Sequence, residues 1–329
     1  MLLRFFYLFC FIIPCFSFIV NPIKQPFYKP YKPLRTLSLK MEKKTDSFSL
    51  VKMIRPSNII PTFMLSFMGG WIVNPDIKIL SEKRFWVAAI ITQLVMSGSM
   101  VINDIYDIDV DRQNNPSRPL PSGKVSIRSA SIFTGILFFS AIMLGHIHFA
   151  KTHLPLISNT SICMLILYTP IFKRIFFIKN LVCASIVSGS IAFSGYAVGL
   201  NNQLLLTSIV RLVAASSLHM EILNDIRDYE GDKMSRIFTI PVIFGKMAAG
   251  FLSKMILYFG VMDAIVSSFY YPFWVSFGIA FACSPMIKNM NMCEMNKFSK
   301  ESVIKASNRT SISLFLNMLI FCYAATVDL

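Results

Sequence analysis

Nine of the seventeen acidic residues in this chain stand in two short windows. The first, "NDIYDIDVD", holds Asp104, Asp107, Asp109 and Asp111. The second, "EILNDIRDYEGD", holds Glu221, Asp225, Asp228, Glu230 and Asp232. Each window closes an apolar run, where a carboxylate is costly to bury. Asp104, Asp107 and Asp111 are spaced i, i+3, i+7, and Asp225, Asp228 and Asp232 repeat that spacing. On one continuous helix such positions share a face. Glu221 joins the second face, while Asp109 and Glu230 point away and read as solvated. Like charges at these spacings destabilise a helix by a few tenths of a kcal/mol per pair. The clusters therefore need a counter-charge, and a divalent cation supplies it economically. Carboxylate oxygens suit Mg²⁺, which keeps waters and bridges to substrate phosphates. Basic residues stand close by: Arg112, Arg118 and Lys124 after the first window, Lys233 and Arg236 after the second, and Lys173 in a connection between them. Lysine binds phosphate as a point charge and arginine as a two-pronged donor. One acidic cluster at a helix end is more often a solvated cap. Two of identical spacing favour a diphosphate site, and the apolar surroundings imply that the diphosphate carries a lipid tail.

The elements that must position these residues are membrane helices. The chain is 54% hydrophobic and only 15% charged, and its mean hydropathy is +0.59. Nine apolar segments are expected at about 53–73, 85–103, 128–147, 154–171, 180–200, 203–222, 247–269, 272–288 and 310–327. Most are long enough to cross roughly 30 Å of hydrocarbon. The formal net charge of +15 does not point to nucleic acid. Lys and Arg concentrate in the connections after the second, fourth, sixth and eighth segments, which predicts that both acidic helix ends face the positive side of the membrane. The seven cysteines contain no C-x-x-C pair, against a disulfide framework or a zinc site.

The N-terminal part is of another kind. Residues 1–20 combine Arg4, an apolar run from Phe5 to Ile13 and small residues, the shape of a signal peptide. Residues 21–45 follow as a basic, transit-like segment with Lys24, Lys29, Lys32, Arg35 and Lys40, and the first acid is Glu42. This two-part arrangement resembles the presequences of secondary-plastid algae and predicts a plastid membrane. The alternative is a signal anchor with a basic tail. Residues 50–329 form one membrane domain.

"NDIYDIDVDRQNNPSRPLPSG" and "EILNDIRDYEGDKMSRIFTIPVIFG" resemble the two aspartate motifs of the UbiA-type intramembrane prenyltransferase superfamily. The second motif, with its E-G-D-K, resembles the branch containing chlorophyll synthase, homogentisate prenyltransferases and archaeal digeranylgeranylglyceryl phosphate synthase. "IRPSN" before the first span and "YTPIFKR" before the fifth fit as well. The resemblance implies an all-α membrane protein, about nine transmembrane helices around a central cavity. It implies Mg²⁺ held by Asp104, Asp107 and Asp111 with Asp225, Asp228 and Asp232. It adds Asn103, Arg118, Lys173, Tyr168, Lys233 and Asn58 as contacts to an isoprenyl diphosphate.

The expected activity is Mg²⁺-dependent transfer of a geranylgeranyl- or phytyl-type group to a lipophilic acceptor within membrane lipid. An aromatic ring, a chlorophyllide carboxylate and a glycerol phosphate hydroxyl all remain open as acceptors, and the sequence does not give the oligomeric state. An intramembrane terpene cyclase on the same scaffold is the nearest alternative. An ion or phosphate transporter is a more distant one, because transport acids are expected near mid-membrane.

Overall fold

The computed structural model describes residues 46–234 and 237–327. The two N-terminal segments expected at 1–20 and 21–45 lie outside the described residues.

The described residues are predominantly helical, and nine helices have fifteen residues or more. A short α1, Ser47–Met53, precedes α2, Ile59–Val73. Then come α3, Lys83–Tyr106, a short α4, Ile108–Asn114, α5, Ile127–Phe149, and α6, Leu154–Tyr168. The second half holds α7, Ile178–Val198, α8, Gln203–Arg227, a short α9, Tyr229–Met234, α10, Ile240–Ser267, α11, Phe273–Met295, and α12, Lys300–Val327. The nine long helices correspond to the nine apolar segments. Six stretches (Lys83–Tyr106, Ile127–Phe149, Ile178–Val198, Gln203–Arg227, Ile240–Tyr270 and Lys300–Val327) are long and apolar enough to cross a bilayer on length and composition alone. This is an integral, multi-pass membrane protein.

Local chemistry sets the helix starts. Asp46 caps α1 by accepting from the Phe48 N–H at 3.1 Å. Ser126 caps α5 by accepting from Ser129 N–H at 3.0 Å. Pro155 and Pro241 open α6 and α10, where the missing N–H costs nothing. Gly245 kinks α10 near its start with φ 86° and ψ 158°, a backbone region closed to other residues.

Lipid offers little hydrophobic drive for helix association, so close packing and buried polar contacts must hold the bundle. At the crossing of α2 and α7, a Cβ on Gly69 would strike the Ile191 carbonyl oxygen, and one on Gly195 would lie 2.9 Å from the Gly69 oxygen. His219 on α8 is fully buried and bonds to Ser253 Oγ on α10 at 2.8 Å and Thr310 Oγ1 on α12 at 3.3 Å. Large side chains such as Phe259, Phe273 and Phe281 face outward, as lipid-facing residues do.

Candidate active site

The two acidic windows fold into one local structure used twice. In each, a long helix ends at the middle aspartate and a short helix resumes. Asp107 closes α3 with φ −90° and ψ 9°, and Asp228 closes α8 with φ −94° and ψ 6°. The Asp107 N–H bonds to the Asn103 carbonyl at 2.9 Å and that of Asp228 to Asn224 at 3.0 Å. One turn later Asp111 N–H bonds to Asp107 O at 2.8 Å and Asp232 N–H to Asp228 O at 3.0 Å. The expectation of one continuous helix is thus corrected, although Asp104 and Asp111 still share a side and contact the same Arg118. Asp104 and Asp225 are buried in the last turn of the long helices. Asp107 and Asp228 sit at the breaks, and Asp111 and Asp232 lie on the short helices, Asp111 buried and Asp232 half-buried. Both breaks place the middle carboxylate where a helix leaves carbonyls unpaired and solvent begins.

The counter-charges the acids require are present in the chain itself. Arg55 Nη2 donates to Asp104 Oδ1 at 2.8 Å. Arg118 Nη1 reaches Asp111 Oδ2 at 2.6 Å and Asp104 Oδ1 at 3.4 Å. Lys173 Nζ sits 2.8 Å from both oxygens of Asp107. In the second window Lys179 Nζ lies 2.6 Å from Asp225 Oδ1, and Asn180 Nδ2 donates to Oδ2 at 3.0 Å. Arg227 holds Asp228 through both oxygens at 2.9 Å. Asp232 is the exception. Burial holds its carboxyl above the ordinary aspartate range, against the pull of Lys179.

One connection joins the two halves. Lys173 touches Asp107 while Lys179 and Asn180 touch Asp225, and these residues stand only six or seven positions apart. A stretch of that length spans at most about 20–25 Å. Both aspartate motifs therefore open at the same end of the bundle.

The remaining residues divide. Asn103 Oδ1 accepts from Thr169 Oγ1 at 3.3 Å, beside Asp107. Asn58 Nδ2 reaches Met100 Sδ at 3.7 Å, one turn before Asp104. The Tyr168 hydroxyl takes its contact from Cys183 Sγ at 3.3 Å. Lys233 stands apart: it is exposed, and its Nζ lies 5.7 Å from the centre of the Tyr229 ring, so the structure does not bring it to a carboxylate. Asp109 pairs with Arg112 at 2.7 Å and Glu230 with Lys246 at 3.3 Å, and both acids are exposed, as solvated groups should be.

Sequence reasoning passed over Arg55, Lys179, Asn180 and Arg227 as partners. Arg55 carried a signal, because it lies in "IRPSN" and precedes a proline. Its backbone is left-handed, φ 50° and ψ 78°, a conformation that costs a non-glycine residue about 1–2 kcal/mol and that a following proline opposes further.

An apolar cleft lies deeper in the bundle. It runs between α2, α3, α6 and α7 and includes Leu65, Ile91, Val95, Met96, Gly189 and Phe193. Met96, Met100, Asn103 and Asp107 follow one helical stripe, as do Lys179, Ile186, Gly189 and Phe193. The cleft therefore begins about 12 Å along α3 from Asp104, at 1.5 Å per residue, on the faces that carry the charged groups. Tyr168 lies on the α6 stripe between cleft and acids.

Residues 59–308 match the UbiA prenyltransferase family. The chain belongs to that family. It is a prenyltransferase. Similar curated relatives are the digeranylgeranylglyceryl phosphate synthases of Methanococcus aeolicus and Saccharolobus solfataricus. The first is 29% identical over 83% of this chain and 95% of that protein, and the second 28% identical over 79% and 89%. A solved structure described as digeranylgeranylglyceryl phosphate synthase in membranes aligns with a TM-score of 0.74 at 26% identity, covering 86% of this chain and 99% of that one. A UbiA homologue from Archaeoglobus fulgidus bound to GPP and Mg²⁺ shares the fold, with a TM-score of 0.56 at 16% identity, over 83% and 99%.

The donor chemistry of this end of the bundle fits Mg²⁺. Among the described residues no three His, Cys, Asp or Glu side chains converge on one point, so these residues build no closed cage. Mg²⁺ does not need one, because it is usually held by one or two carboxylates together with substrate phosphates and water. Each motif offers carboxylate oxygens at the rim, and Lys173, Lys179 and Arg118 stand among them.

Proposed function

We propose that this enzyme transfers a geranylgeranyl-type group from its diphosphate to the hydroxyl of a lipophilic glyceryl phosphate acceptor, in a Mg²⁺-dependent reaction. The observation that carries this reading is the doubled aspartate break at one end of the bundle, bridged by Lys173 and Lys179, with an apolar cleft on the same helix faces. The names of the relatives favour a glyceryl phosphate acceptor over an aromatic ring or a chlorophyllide.

Asp104, Asp107 and Asp111 on one side and Asp225, Asp228 and Asp232 on the other would hold Mg²⁺ with the diphosphate. The metal supplies charge stabilisation for a leaving diphosphate. Arg118, Lys173 and Lys179 add fixed positive charge where negative charge develops, in a site poor in water. Asn103 and Asn58 line the same approach, and Tyr168 marks the transition to the cleft. The cleft takes the prenyl tail and shields C1 from water as its bond to the diphosphate oxygen breaks. The acceptor hydroxyl oxygen then forms the new bond to C1, and its proton passes to the departing diphosphate. Because the acids stand in the last helical turns rather than at mid-span, the site suits a headgroup at the membrane surface and not an ion path.

The N-terminal segments complete the proposal: residues 1–45 direct the enzyme to a plastid membrane, on the strength of an apolar run followed by an acid-free basic stretch.

The deciding experiment incubates the chain in membranes with labelled geranylgeranyl, phytyl and geranyl diphosphates against geranylgeranylglyceryl phosphate, homogentisate and chlorophyllide, and identifies the lipid products. A prenylated glyceryl phosphate is expected. Prenylation of only a ring or a chlorophyllide would replace the acceptor. Diphosphate release with a cyclic hydrocarbon and no acceptor would make the enzyme a cyclase.

A further inference from the structure

Arg55 combines three features that no helix-forming need explains. Its backbone is left-handed immediately before a proline. The short helix that leads into it is held at both of its ends: Met53 is buried among Val101, Leu120 and Val125, and Asp46 N–H bonds to the Lys124 carbonyl at 3.2 Å. The side chain crosses to Asp104, 49 positions along the chain, and meets Oδ1 at 2.8 Å. Strain maintained by surrounding structure, with a guanidinium delivered to a reactive centre, is the pattern of a functional residue.

Its partner is unusual too. Asp104 Oδ1 takes a second cation, Arg118, at 3.4 Å, while Arg118 makes its shorter contact, 2.6 Å, to Asp111. Asp104 thus keeps a positive neighbour if Arg55 leaves. Arg55 is one-third exposed on its side chain and Asp104 only 6%, so the guanidinium lies on the open side of the pair, toward the approaching headgroup. A divalent cation seeking Asp104 Oδ1 competes with Arg55 for the same oxygen, and a guanidinium released there faces the phosphate oxygens that a two-pronged donor suits.

We propose that Arg55 is an exchangeable counter-ion: it neutralises Asp104 while no donor is bound, opposes metal binding on its own, and transfers its guanidinium to the diphosphate when metal and donor enter together. This rests on the donor site described under Proposed function and deepens it. It makes metal and donor binding interdependent, because metal alone must displace Arg55 without giving it a new partner.

The test uses the full chain in lipid nanodiscs with Mn²⁺ as a spectroscopic probe, titrated by electron paramagnetic resonance without donor. Arg55→Gln is expected to bind Mn²⁺ severalfold more tightly than the native chain. Its KM for geranylgeranyl diphosphate should rise about ten- to a hundredfold, the range of a lost charge-assisted hydrogen bond. Arg55→Gly relieves the left-handed backbone and should reproduce both effects, so a folding failure of the glutamine variant leaves the question answerable. If Arg55 merely fastens α1 to α3, both variants will bind Mn²⁺ as the native chain does or more weakly, and the proposal falls. An unchanged KM with tighter Mn²⁺ binding also overturns it, since the guanidinium would then have no diphosphate role. If the native chain transfers no prenyl group at all, the proposed reaction fails by itself. The Mn²⁺ arm then still decides whether Arg55 competes with metal.

Discussion

Replacing Asp225 and Asp228 by asparagine separates binding chemistry from architecture. The two residues stand in the same motif but in opposite environments. Asp225 is buried, 2.6 Å from Lys179 and 3.0 Å from Asn180, and the Lys179 side chain is itself only 18% exposed. Asp225→Asn leaves that ammonium without its anion. Breaking a buried pair from one side costs 3–5 kcal/mol, and the partial exposure of Lys179 places this pair at the low end, about 3 kcal/mol. Asp228 is 55% exposed and paired with Arg227, also exposed. Its loss should cost about 0–1 kcal/mol. At about 2–4 °C per kcal/mol for a large domain, Asp225→Asn should lower Tm by about 6–12 °C and Asp228→Asn by at most about 4 °C. Both should lower turnover by about 10²–10³, the effect of losing one preorganised charge contact of roughly 3–4 kcal/mol. Combining Asp225→Asn with Lys179→Met removes both charges and should recover most of the Tm without recovering turnover. Thermal unfolding in detergent and a radiolabelled transfer assay read the two quantities. Equal Tm losses in the two single variants, or no recovery in the double variant, would show that the buried pair with Lys179 is not what secures Asp225.

Other positions give independent checks. Burial raises the Asp232 carboxyl above its unfolded value, so stability falls as pH climbs from the unfolded value to the raised one, and the full cost of its charge is present above that. Asp232→Asn should therefore raise Tm near neutral pH and leave it unchanged in strong acid, as melts across pH would show. A Cβ on Gly189 would meet nothing within 4 Å and would point into the cleft. Gly189→Leu should shift the kcat/KM ratio from geranylgeranyl toward geranyl diphosphate by about tenfold or more, the scale on which apolar pockets discriminate chain length, while Tm holds. Residues 1–45 fused to a fluorescent protein should enter the plastid of a suitable algal host; retention in the endoplasmic reticulum would refute the plastid reading and leave the enzyme untouched.

Much of the scaffold was legible because lipid imposes a simple code: apolar runs of helical length recur, and each became a long helix. The ends of α3 and α8 were less legible. The apolar runs stop near 103 and 222, yet the helices continue to Tyr106 and Arg227. The acids inside these extensions are Asp104 and Asp225, and Arg55 and Lys179 pair with them at 2.8 and 2.6 Å. Spacing correctly read Asp109 and Glu230 as exposed but assumed a rigid helix, and so missed both the break that the motifs share and the exposure of Asp228. Arg55 with Asp104 and Lys179 with Asp225 join residues nearly fifty positions apart. Such pairings are set by tertiary packing, and local pattern does not encode them. Lys233 shows the converse: adjacency to the motif in sequence did not bring it to the site.

The central claim is that the two aspartate motifs act on a single diphosphate. It is tested most directly by diphosphate release from labelled geranylgeranyl diphosphate in the native chain, in Asp107→Asn, in Asp228→Asn and in the double variant, each with Mg²⁺ and with EDTA. Residues acting as one unit are strongly non-additive. The double variant should therefore lose little more than either single variant, and EDTA should abolish release from the native chain. Losses that multiply in the double variant, or release undiminished by EDTA, would contradict the account.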